Sequence, residues 1–412
     1  MTPPTRHTPA AQVTRSRRES PVRRVLSART ATLGARSAAG HAAGHAAGGP
    51  AGVLGAARGA RRRRELRVVI VLAAALLVVA ALSLSVGSYS VAVPDLLRTL
   101  AGQGTGAENF IVLTLRLPRL VLALLCGIAF ALSGALFQTV LRNPLASPDI
   151  VGVTGGASAA AVLGMLVLGF GSLATAFAAF GGAILVAAVI YLLAWRGRSG
   201  GGGTGGVAGY RFVLIGVGVA FMVQGLLGYL LSRAQLRDAQ DALTWLVGSV
   251  SGADWPEIAV VAVGLAVLLP IVRMLAPRLR ALQLGDDLAT SLGVGAERNR
   301  LGLLIVAVAL AALATAMVGP LAFVAFVSAP IARRLVGTGG LSLVPSALVG
   351  ALIVSAADFS AQHLLPGGLQ LPAGVVTGAI GAPYLLWLLA TGAAGGSGGS
   401  AGGISRDSTE GT

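Results

Sequence analysis

Long apolar runs separated by short polar segments dominate the pattern of this chain. One helical crossing of a bilayer takes about 20 apolar residues, and ten segments approach or meet that length. They are residues 67–86, 117–138, 150–168, 172–194, 212–232, 257–276, 300–318, 321–336, 342–360 and 372–391. The pattern predicts an all-α membrane protein with about ten transmembrane helices. The eighth segment is short, which suits a helix enclosed by protein better than one facing lipid.

The composition agrees with this interpretation and indicates the domain organisation. Hydrophobic residues make up 55% and charged residues 11% of the 412 residues, and the mean hydropathy is +0.82. A soluble domain has roughly twice that charged fraction. We predict one membrane domain over residues 63–391. A disordered Arg/Ala/Gly-rich tail, 1–62, precedes it, and a disordered Gly/Ser-rich tail, 392–412, follows it.

The arginines predict the orientation of the chain in the membrane. The net charge is +16, and the chain contains no lysine. Cytoplasmic segments carry an excess of basic residues, so the run Arg61 to Arg64 before the first span places the N-terminus in the cytoplasm. An even number of spans returns the C-terminus to the same side. We expect no cleavable signal ahead of the first span. Nucleic-acid binding by the tail is the alternative interpretation, and retention in the cytoplasm is the simpler one.

One polar interruption falls between two of the apolar runs. Residues 141–152 read Leu-Arg-Asn-Pro-Leu-Ala-Ser-Pro-Asp-Ile-Val-Gly. Pro144 and Pro148 prevent a continuous helix from crossing this segment. Irregular backbone close to hydrocarbon depth is tolerated where it is buried in protein or lines a cavity. The segment is therefore a candidate part of a passage across the membrane, and an ordinary turn between helices is the alternative.

The spans contain few groups that could carry chemistry. Asp358 is the exceptional acidic residue, near one end of the ninth span, and Cys126 is the only cysteine. A proton- or sodium-coupled secondary transporter usually needs ionisable groups near the midplane, so this class is disfavoured. A membrane-embedded enzyme or a scaffold is also disfavoured, because no catalytic grouping or metal-ligand spacing is visible. The pattern favours a pore whose energy input comes from elsewhere.

A second polar segment lies between spans six and seven. Residues 282–300 include Gly285, Asp286 and Asp287, followed by Leu288, Leu292 and Gly293. Negative charge suits the start of a helix, and glycine suits its end. Leu288, Ala289 and Leu292 would form one apolar face. Such a short amphipathic helix could lie on the membrane or dock into a partner's groove. Its acidic start favours the protein partner.

These segments together resemble the permease subunits of binding-protein-dependent ABC importers for iron–siderophore complexes, haem and vitamin B12. The similarity covers roughly residues 65–391. The motifs that carry it are Leu115-Arg-Leu-Pro-Arg119, Ser133-Gly-Ala-Leu-Phe-Gln138, Arg142-Asn-Pro-Leu-Ala-Ser-Pro148, Leu284-Gly-Asp-Asp-Leu-Ala-Thr-Ser-Leu-Gly293, Gly319-Pro-Leu-Ala-Phe-Val-Ala-Phe-Val-Ser-Ala-Pro-Ile-Ala-Arg-Arg-Leu335 and Leu371-Pro-Ala-Gly-Val-Val-Thr-Gly-Ala-Ile-Gly-Ala-Pro383. The resemblance implies a type II ABC importer permease with ten helices in the cell membrane.

The resemblance also implies partners and site residues. Two permease subunits would enclose one path, two ATP-binding subunits would dock below, and a solute-binding lipoprotein would dock above. Two parts of the cytoplasmic gate map to Asn143 with Leu145 and to Gly209 with Tyr210, the second blurred by the Gly-rich insertion 200–206. The Gly285–Gly293 segment resembles the helices that couple to the ATPase. We also expect Arg116 and Arg119 to receive acidic residues of the binding protein, with snorkelling to lipid headgroups as the alternative.

The resemblance assigns no chemistry to this subunit. No Gly-rich phosphate loop of the form G-x-x-x-x-G-K-[ST] occurs, and a chain without lysine cannot supply the lysine of that loop. ATP and Mg would therefore be bound by the partner ATPase, and this subunit would hold no cofactor or metal. The cargo would be an iron–siderophore complex, with haem or cobalamin as the alternative.

Two positions depart from the family pattern. Ala329-Pro330 is followed by Ile331, where family members often have His after the proline, and this bears on the ligand class. Family members often carry an external arginine shortly after the ninth-span Ala-Asp, and here Gln362 and His363 follow. A partner permease of different sequence could supply the missing charge, which favours a heterodimeric pore over a homodimer.

Overall fold

The computed structural model describes residues 50–196, 206–207, 209–337, 340–363 and 370–395. Nearly all of them are helical. The helices are α1 Pro50–Ser85, α2 Val93–Leu100, α3 Gly106–Asn109, α4 Leu117–Val140, α5 Val153–Leu166, α6 Ser172–Ala194, α7 Gly209–Arg233, α8 Leu236–Val247, α9 Trp255–Gln283, α10 Asp286–Ser291, α11 Ala296–Val318, α12 Val324–Val336, α13 Leu343–His363 and α14 Ala373–Gly395. A π-helical segment, Phe110–Arg116, joins α3 to α4. Two-residue strands, β1 Trp195–Arg196 and β2 Gly206–Val207, pair antiparallel.

Each of the ten predicted apolar segments contains a helix. In the part of the chain that the structure describes, seven helical stretches are long and apolar enough to cross a membrane: Arg58–Ser85, Gly106–Val140, Ser172–Ala194, Val213–Arg233, Trp255–Gln283, Ala296–Val318 and Leu343–His363. The remaining three segments hold α5, α12 and α14. Helix α12 has 13 residues, and most of them are buried. This burial agrees with the expectation that the eighth segment is enclosed by protein.

Helix α4 lies at the centre of the bundle. In the most apolar 18 residues of its stretch, 78% are buried, and α9, α11, α12 and α13 pack against it. Small residues permit the close contacts. Gly127 faces the backbone of Gly350 in α13, and Gly134 faces the carbonyl of Ala325 in α12, so that a Cβ at either glycine would collide with backbone. Helices associate in lipid through such close approach.

The chain contains helices that the apolar pattern did not predict. Helices α2, α3 and α8 are too short to meet a 20-residue criterion, and α8 carries Asp238 and Asp241 among its apolar residues. The second span also begins earlier than predicted. The π-helical segment carries the helix up to Pro118, whose missing N–H would otherwise interrupt it. The span therefore extends back to Gly106 rather than starting at residue 117.

The predicted limits of the two tails differ from the observed helices. Helix α1 begins at Pro50, so residues 50–62, predicted to be disordered, are helical. Alanine and arginine favour helix, and extending an existing helix needs no new nucleus. Helix α14 likewise continues to Gly395, past the predicted end at residue 391. Residues 1–49 and 396–412 lie outside the described residues, and so does the predicted disorder there.

Candidate functional site

The segment 141–152 leaves α4 through a Schellman motif. The amide of Arg142 donates to the carbonyl of Thr139, at 3.3 Å, and the amide of Asn143 donates to the carbonyl of Gln138, at 3.1 Å. This motif places its C′ residue, here Arg142, in the left-handed region, with φ of 49°. Glycine is the usual residue at that position, because a side chain costs about 1–2 kcal/mol there. Arg142 is one of two non-glycine residues with positive φ among the described residues.

The next turn holds the predicted gate residues Asn143 and Leu145. The Oδ1 atom of Asn143 accepts a hydrogen bond from the amide of Leu145, at 2.9 Å, and its carbonyl accepts one from the amide of Ala146, at 3.1 Å. The asparagine side chain therefore shapes its own turn, as asparagine commonly does. Both side chains remain partly exposed, whereas Ala146 and the two residues after it are buried. Leu145 is therefore a partly exposed apolar side chain directly before a buried stretch of the loop.

Asp149 carries the unusual carboxylate of this loop, between the spanning helices α4 and α5. Burial raises its pKa from 3.8 to about 6, and a hydrogen bond from the Thr154 side chain opposes that shift. Its Oδ2 atom is buried and has no hydrogen-bond partner among the described residues. A buried carboxylate oxygen without a partner favours the protonated form. The loop thus contains one group whose charge changes in a mildly acidic range.

The end of the loop packs against α7. Val151 lies against Gly216, and Gly152 lies next to Ala220, so small residues of α7 receive the loop backbone. The second pair of predicted gate residues, Gly209 and Tyr210, begins the same helix two turns earlier. Their side chains are outside the described part of the structure. The fold therefore brings the loop to the helix that carries this pair, and a contact with the pair itself stays a prediction.

The second predicted segment, from Gly285 to Gly293, forms a single short helix between two long ones. Asp286 and Asp287 begin α10, as expected, although their side chains are outside the described part of the structure. Gly293, with φ of 77°, ends the helix. The amides of Gly293 and Val294 donate to the carbonyls of Thr290 and Ala289, both at 2.9 Å. These bonds form a second Schellman motif, with glycine at C′.

The predicted apolar face of α10 is divided by the fold. Ala289 is fully buried, whereas Leu288 is 57% and Leu292 is 64% exposed. Leu288 and Leu292 are four residues apart, so they lie side by side on the helix. Of the three residues expected to form one apolar face, Ala289 belongs to the buried core and the two leucines do not. What remains is a two-leucine surface, defined by Leu288 and Leu292, with no cover among the described residues.

A side chain of the loop reaches the start of this segment. The Nη2 atom of Arg142 donates to the carbonyl of Leu282, at 2.7 Å. Leu282 is buried in the last turn of α9. The last carbonyls of a helix lack an amide partner within the helix, and a cation there is favourable. The two polar segments predicted from the sequence therefore lie next to each other.

At the other end of α4, the two predicted docking arginines have partners within the chain. Arg119 forms a bidentate ion pair with Asp358 of α13. Its Nη2 atom lies 2.7 Å from Oδ1 and its Nε atom lies 2.9 Å from Oδ2 of the carboxylate. The side chains are 17% and 8% exposed. Gln362 donates to the same carboxylate, at 2.7 Å. Arg116 donates to the carbonyls of Leu84 and Tyr89. The four side chains Arg116, Arg119, Asp358 and Gln362 line a cavity of about 590 Å³.

The sequence analysis identified Asp358 but not its partner. A single acidic residue in an apolar span requires a counter-charge, so the arginine motif at the start of the second span was the available signal. A second missed connection joins α4 to α12. Gln138, 4% exposed, donates to the carbonyl of Phe326, at 2.9 Å, and accepts a bond from Arg333, at 2.6 Å. A lone glutamine at the end of an apolar span was its signal.

Within the described residues, no three His, Cys, Asp or Glu side chains are grouped closely enough to hold a metal ion. The polar groups described above connect helices to one another. Together with the apolar helices, they define an integral membrane protein built around a central helix, with an irregular loop at one end and an ion pair at the other.

Comparisons with known proteins identify the family. Residues 75–391 match the model of the FecCD transport family, and the chain belongs to that family. It is 38% identical over 327 residues to the ferric enterobactin transport system permease protein FepG of Escherichia coli (strain K12), covering 79% of this chain and 96% of that protein. It is 36% identical to the Fe(3+)-citrate import system permease protein YfmE of Bacillus subtilis (strain 168), covering 80% and 96%.

A third relative and a solved structure agree with this assignment. The chain is 41% identical to the achromobactin transport system permease protein CbrC of Dickeya dadantii (strain 3937), covering 74% of this chain and 86% of that protein. The fold is similar to a chain of a metal-chelate type ABC transporter in an inward-facing conformation. That match has a TM-score of 0.68 and 26% identity, and it covers 79% of this chain and 99% of the other. The all-α permease architecture predicted from the sequence is confirmed.

Proposed function

We propose that this chain is one permease subunit of an ABC importer that moves a ferric chelate, most simply an iron–siderophore complex, into the cytoplasm. The observation that carries the proposal is the family assignment over residues 75–391. Relatives with named cargo take ferric enterobactin, Fe(3+)-citrate and achromobactin. Haem and cobalamin stay as alternative cargoes, to be distinguished by the uptake experiment below.

The energy for transport comes from a separate subunit in this proposal. Two ATP-binding subunits hold ATP and Mg, and this chain holds no cofactor or metal. A second permease subunit completes the path, and a related but different chain is preferred because Gln362 and His363 stand where a docking arginine is common in the family. A solute-binding lipoprotein delivers the cargo from outside. The N- and C-termini lie in the cytoplasm, an orientation supported by the arginines before the first span.

The proposed cytoplasmic gate consists of Asn143 and Leu145, with Gly209 and Tyr210 as its second part. The bond from the Leu145 amide to the Asn143 side chain supports this role, since it presents Leu145 as a partly exposed apolar group. A hydrophobic constriction closes a pore by excluding water. In this proposal Leu145 meets its counterpart on the partner subunit, and Asn143 holds its turn.

The segment from Gly285 to Gly293, with Asp286, Asp287, Leu288 and Leu292, is the proposed ATPase coupling site. The exposure of Leu288 and Leu292 supports docking into a groove of the ATPase.

Arg116 and Arg119 are the proposed docking residues for the binding protein. Both line the 590 Å³ cavity at the end of α4 opposite to the gate loop. Because Arg119 is paired with Asp358, its replacement by glutamate would place two carboxylates together. Arg116→Gln is therefore the cleaner test of docking, and Arg119→Gln is combined with Asp358→Asn so that no buried carboxylate loses its partner. Arg98→Gln, at an exposed arginine near the same end, is the matched control.

The proposed function is tested by uptake in a cell that lacks its own ferric-chelate importers. The chain is produced together with its proposed ATPase, second permease and binding protein, and the cells are offered labelled ferric siderophores, ferric citrate, haem and cobalamin. Uptake of a ferric chelate that needs this chain and an ATPase able to hydrolyse ATP is the expected result. Uptake of haem or cobalamin alone would reassign the cargo. Uptake that persists with an inactive ATPase would contradict ATP-driven import.

A further inference from the structure

The residue at the C′ position of α4 is unsuited to its backbone conformation. The Schellman motif there places Arg142 at φ of 49°, where glycine avoids the collision that a Cβ causes. The equivalent positions at the ends of α10 and α12 are Gly293 and Gly337, with φ of 77° and 67°. Local folding alone thus favours glycine at position 142. The presence of arginine indicates that its side chain makes a contact that glycine could not make.

The structure shows what that side chain contacts. The guanidinium of Arg142 donates from Nη2 to the carbonyl of Leu282, at 2.7 Å. The amide of Gly285, another donor near this carbonyl, is 3.4 Å away. Leu282 is in the final turn of α9 and is 4% exposed, so its carbonyl moves with the end of that helix. The bond therefore ties the gate loop to the end of α9.

The positions of Arg142 and Leu282 explain why this contact is suited to transmit movement from α10 to the gate loop. Leu282 lies three residues before Gly285, where the proposed coupling site begins. Arg142 lies three residues before Leu145, the proposed gate side chain. Arg142 is connected to Leu145 through the turn that Asn143 closes, by a 2.9 Å bond to the Leu145 amide. A displacement of α10 can thus reach Leu145 through one side-chain hydrogen bond and two short backbone segments.

We propose that Arg142 is a positioning residue that transmits movement of the Gly285–Gly293 segment to the gate loop within one subunit. The inference rests on the proposed function, since it presumes that α10 receives the ATPase movement and that Leu145 closes the path. The contact joins a charged donor to a helix-end carbonyl, which is a strong type of hydrogen bond. Because the bond joins a side chain to another helix, a relative movement of α4 and α9 during the transport cycle would break it or form it.

A purely structural role predicts a different response to substitution. If Arg142 merely holds the loop in place, its removal should lower stability. If it transmits movement, Arg142→Gly should leave the fold at least as stable, because glycine suits the left-handed position, while transport fails. The two roles therefore predict opposite relations between stability and coupling.

The experiment uses the complete importer, with its partner permease, ATPase and binding protein, in proteoliposomes. The variants are Arg142→Gly, Arg142→Gln and Arg142→Lys. Arg273→Gln serves as the matched control, since Arg273 is an exposed arginine on α9. The readouts are ATP hydrolysed per ferric chelate imported, the thermal stability of the complex, and the thiol reactivity of the Leu145→Cys variant with and without ATP. The reactivity is measured in a Cys126→Ala background.

We expect Arg142→Gly to assemble normally and to hydrolyse ATP while the number of ATP molecules used per imported chelate rises about tenfold, a typical size of a coupling effect between sites. The cysteine at position 145 should lose its response to ATP. Arg142→Gln should share both defects, and Arg142→Lys should be intermediate because it keeps the charge. Arg273→Gln should match the parent importer.

Two results would overturn the inference. In the first, Arg142→Gly and Arg142→Gln import with the parent stoichiometry, and the cysteine still responds to ATP. In the second, both variants lose assembly or thermal stability in proportion to transport, which assigns a structural role. Failure of the parent importer to take up any ferric chelate would contradict the proposed function instead, so the two failures are distinguishable.

Discussion

Two helix ends in this protein have the same hydrogen-bond pattern and different residues at the same position. Helix α10 ends at Gly293 and helix α4 ends at Arg142, each in the left-handed C′ position of a Schellman motif. Among the described residues beyond its chain neighbours, no atom lies within 4 Å of where a Cβ at Gly293 would be, so the glycine serves the backbone conformation. At position 142 the side chain bonds Leu282. The comparison indicates that Gly293 is suited to the backbone conformation of its turn, whereas Arg142 is suited to the hydrogen bond that its side chain makes.

The side chains beyond the two turns differ in the same way. After Arg142, three successive residues, Ala146, Ser147 and Pro148, are buried, and the loop is held by bonds within itself and by packing on α7. Before Gly293, Leu288 and Leu292 are exposed. The loop after Arg142 is therefore packed within its own subunit, whereas the helix before Gly293 exposes apolar side chains that a partner could cover. The predictions below test this contrast, from the largest expected effect to the smallest.

The exposed leucine pair gives the largest expected effect. Leu292→Asp places a charge on the surface proposed to enter an ATPase groove, and loss of such an anchor typically costs about 2 kcal/mol or more at an interface. Co-purification of the ATPase and uptake should both be lost, while the amount of permease in the membrane is unchanged. Leu97→Asp, at a leucine that is 62% exposed on α2, is the control and should assemble normally. Intact assembly in Leu292→Asp would refute the docking role of this surface.

The gate turn should respond through coupling rather than assembly. Leu145→Ala shortens the side chain proposed to close the path, so ATP hydrolysis should continue without proportionate uptake. The measurement is ATP hydrolysis and uptake in the same proteoliposomes. Ile150→Ala, a matched truncation of a 37% exposed residue in the same loop, should remain coupled. If both variants stay tightly coupled, the turn is a structural connection.

Substitutions at the two C′ positions, Gly293 and Arg142, should change the stability of the permease in opposite directions. Gly293→Ala should lower stability by about 1 kcal/mol, since a Cβ is unfavourable in the left-handed region. Arg142→Gly should raise the free energy of unfolding by a similar amount, because glycine adopts the left-handed conformation without strain. Denaturant unfolding of the purified permease gives both values. Gly302→Ala, inside α11 with open space around the added Cβ, is the control and should not be destabilising. Destabilisation by Arg142→Gly would contradict the contrast between the two turns.

A pH dependence of the gate turn is the smallest expected effect. Burial raises the pKa of Asp149 from 3.8 to about 6, so folding favours its protonated form. Wild-type stability should therefore fall as pH rises from about 4 to about 6. Above about pH 6 the carboxylate is charged in both the folded and the unfolded state, so its contribution to stability no longer changes with pH. Asp149→Asn removes the charge, so its stability should exceed that of the wild type above pH 6 and match it below about pH 4. Parallel stability curves across this range would exclude the effect.

The apolar pattern predicted much of the fold because each transmembrane helix satisfies its own backbone and faces an apolar solvent. All ten predicted segments contain helices in the described residues, and α10 ends at Gly293 as expected. Helices α2 and α8 were missed because they are short and need no spanning length. The start of α1 at Pro50 was missed because composition alone does not register the extension of a helix that already has a nucleus.

The candidate site could be predicted only as separate segments. The prolines of residues 141–152 and the acidic start of α10 mark two irregular stretches by local chemistry. Their juxtaposition could not be predicted from the residues, because Arg142 and Leu282 are 140 positions apart and meet through the packing of α4 against α9. The same holds for Arg119 and Asp358, which are 239 positions apart.

The sequence by itself determined the class of this protein, its helical segments and the motifs that assign it to the FecCD transport family, because spanning length and local turn chemistry are properties of contiguous residues. Only the tertiary structure decided which arginine is paired with Asp358, which leucines of α10 stay uncovered and which carbonyl receives Arg142. These outcomes depend on how closely the helices approach one another, and that distance is set by contacts between residues far apart in the chain.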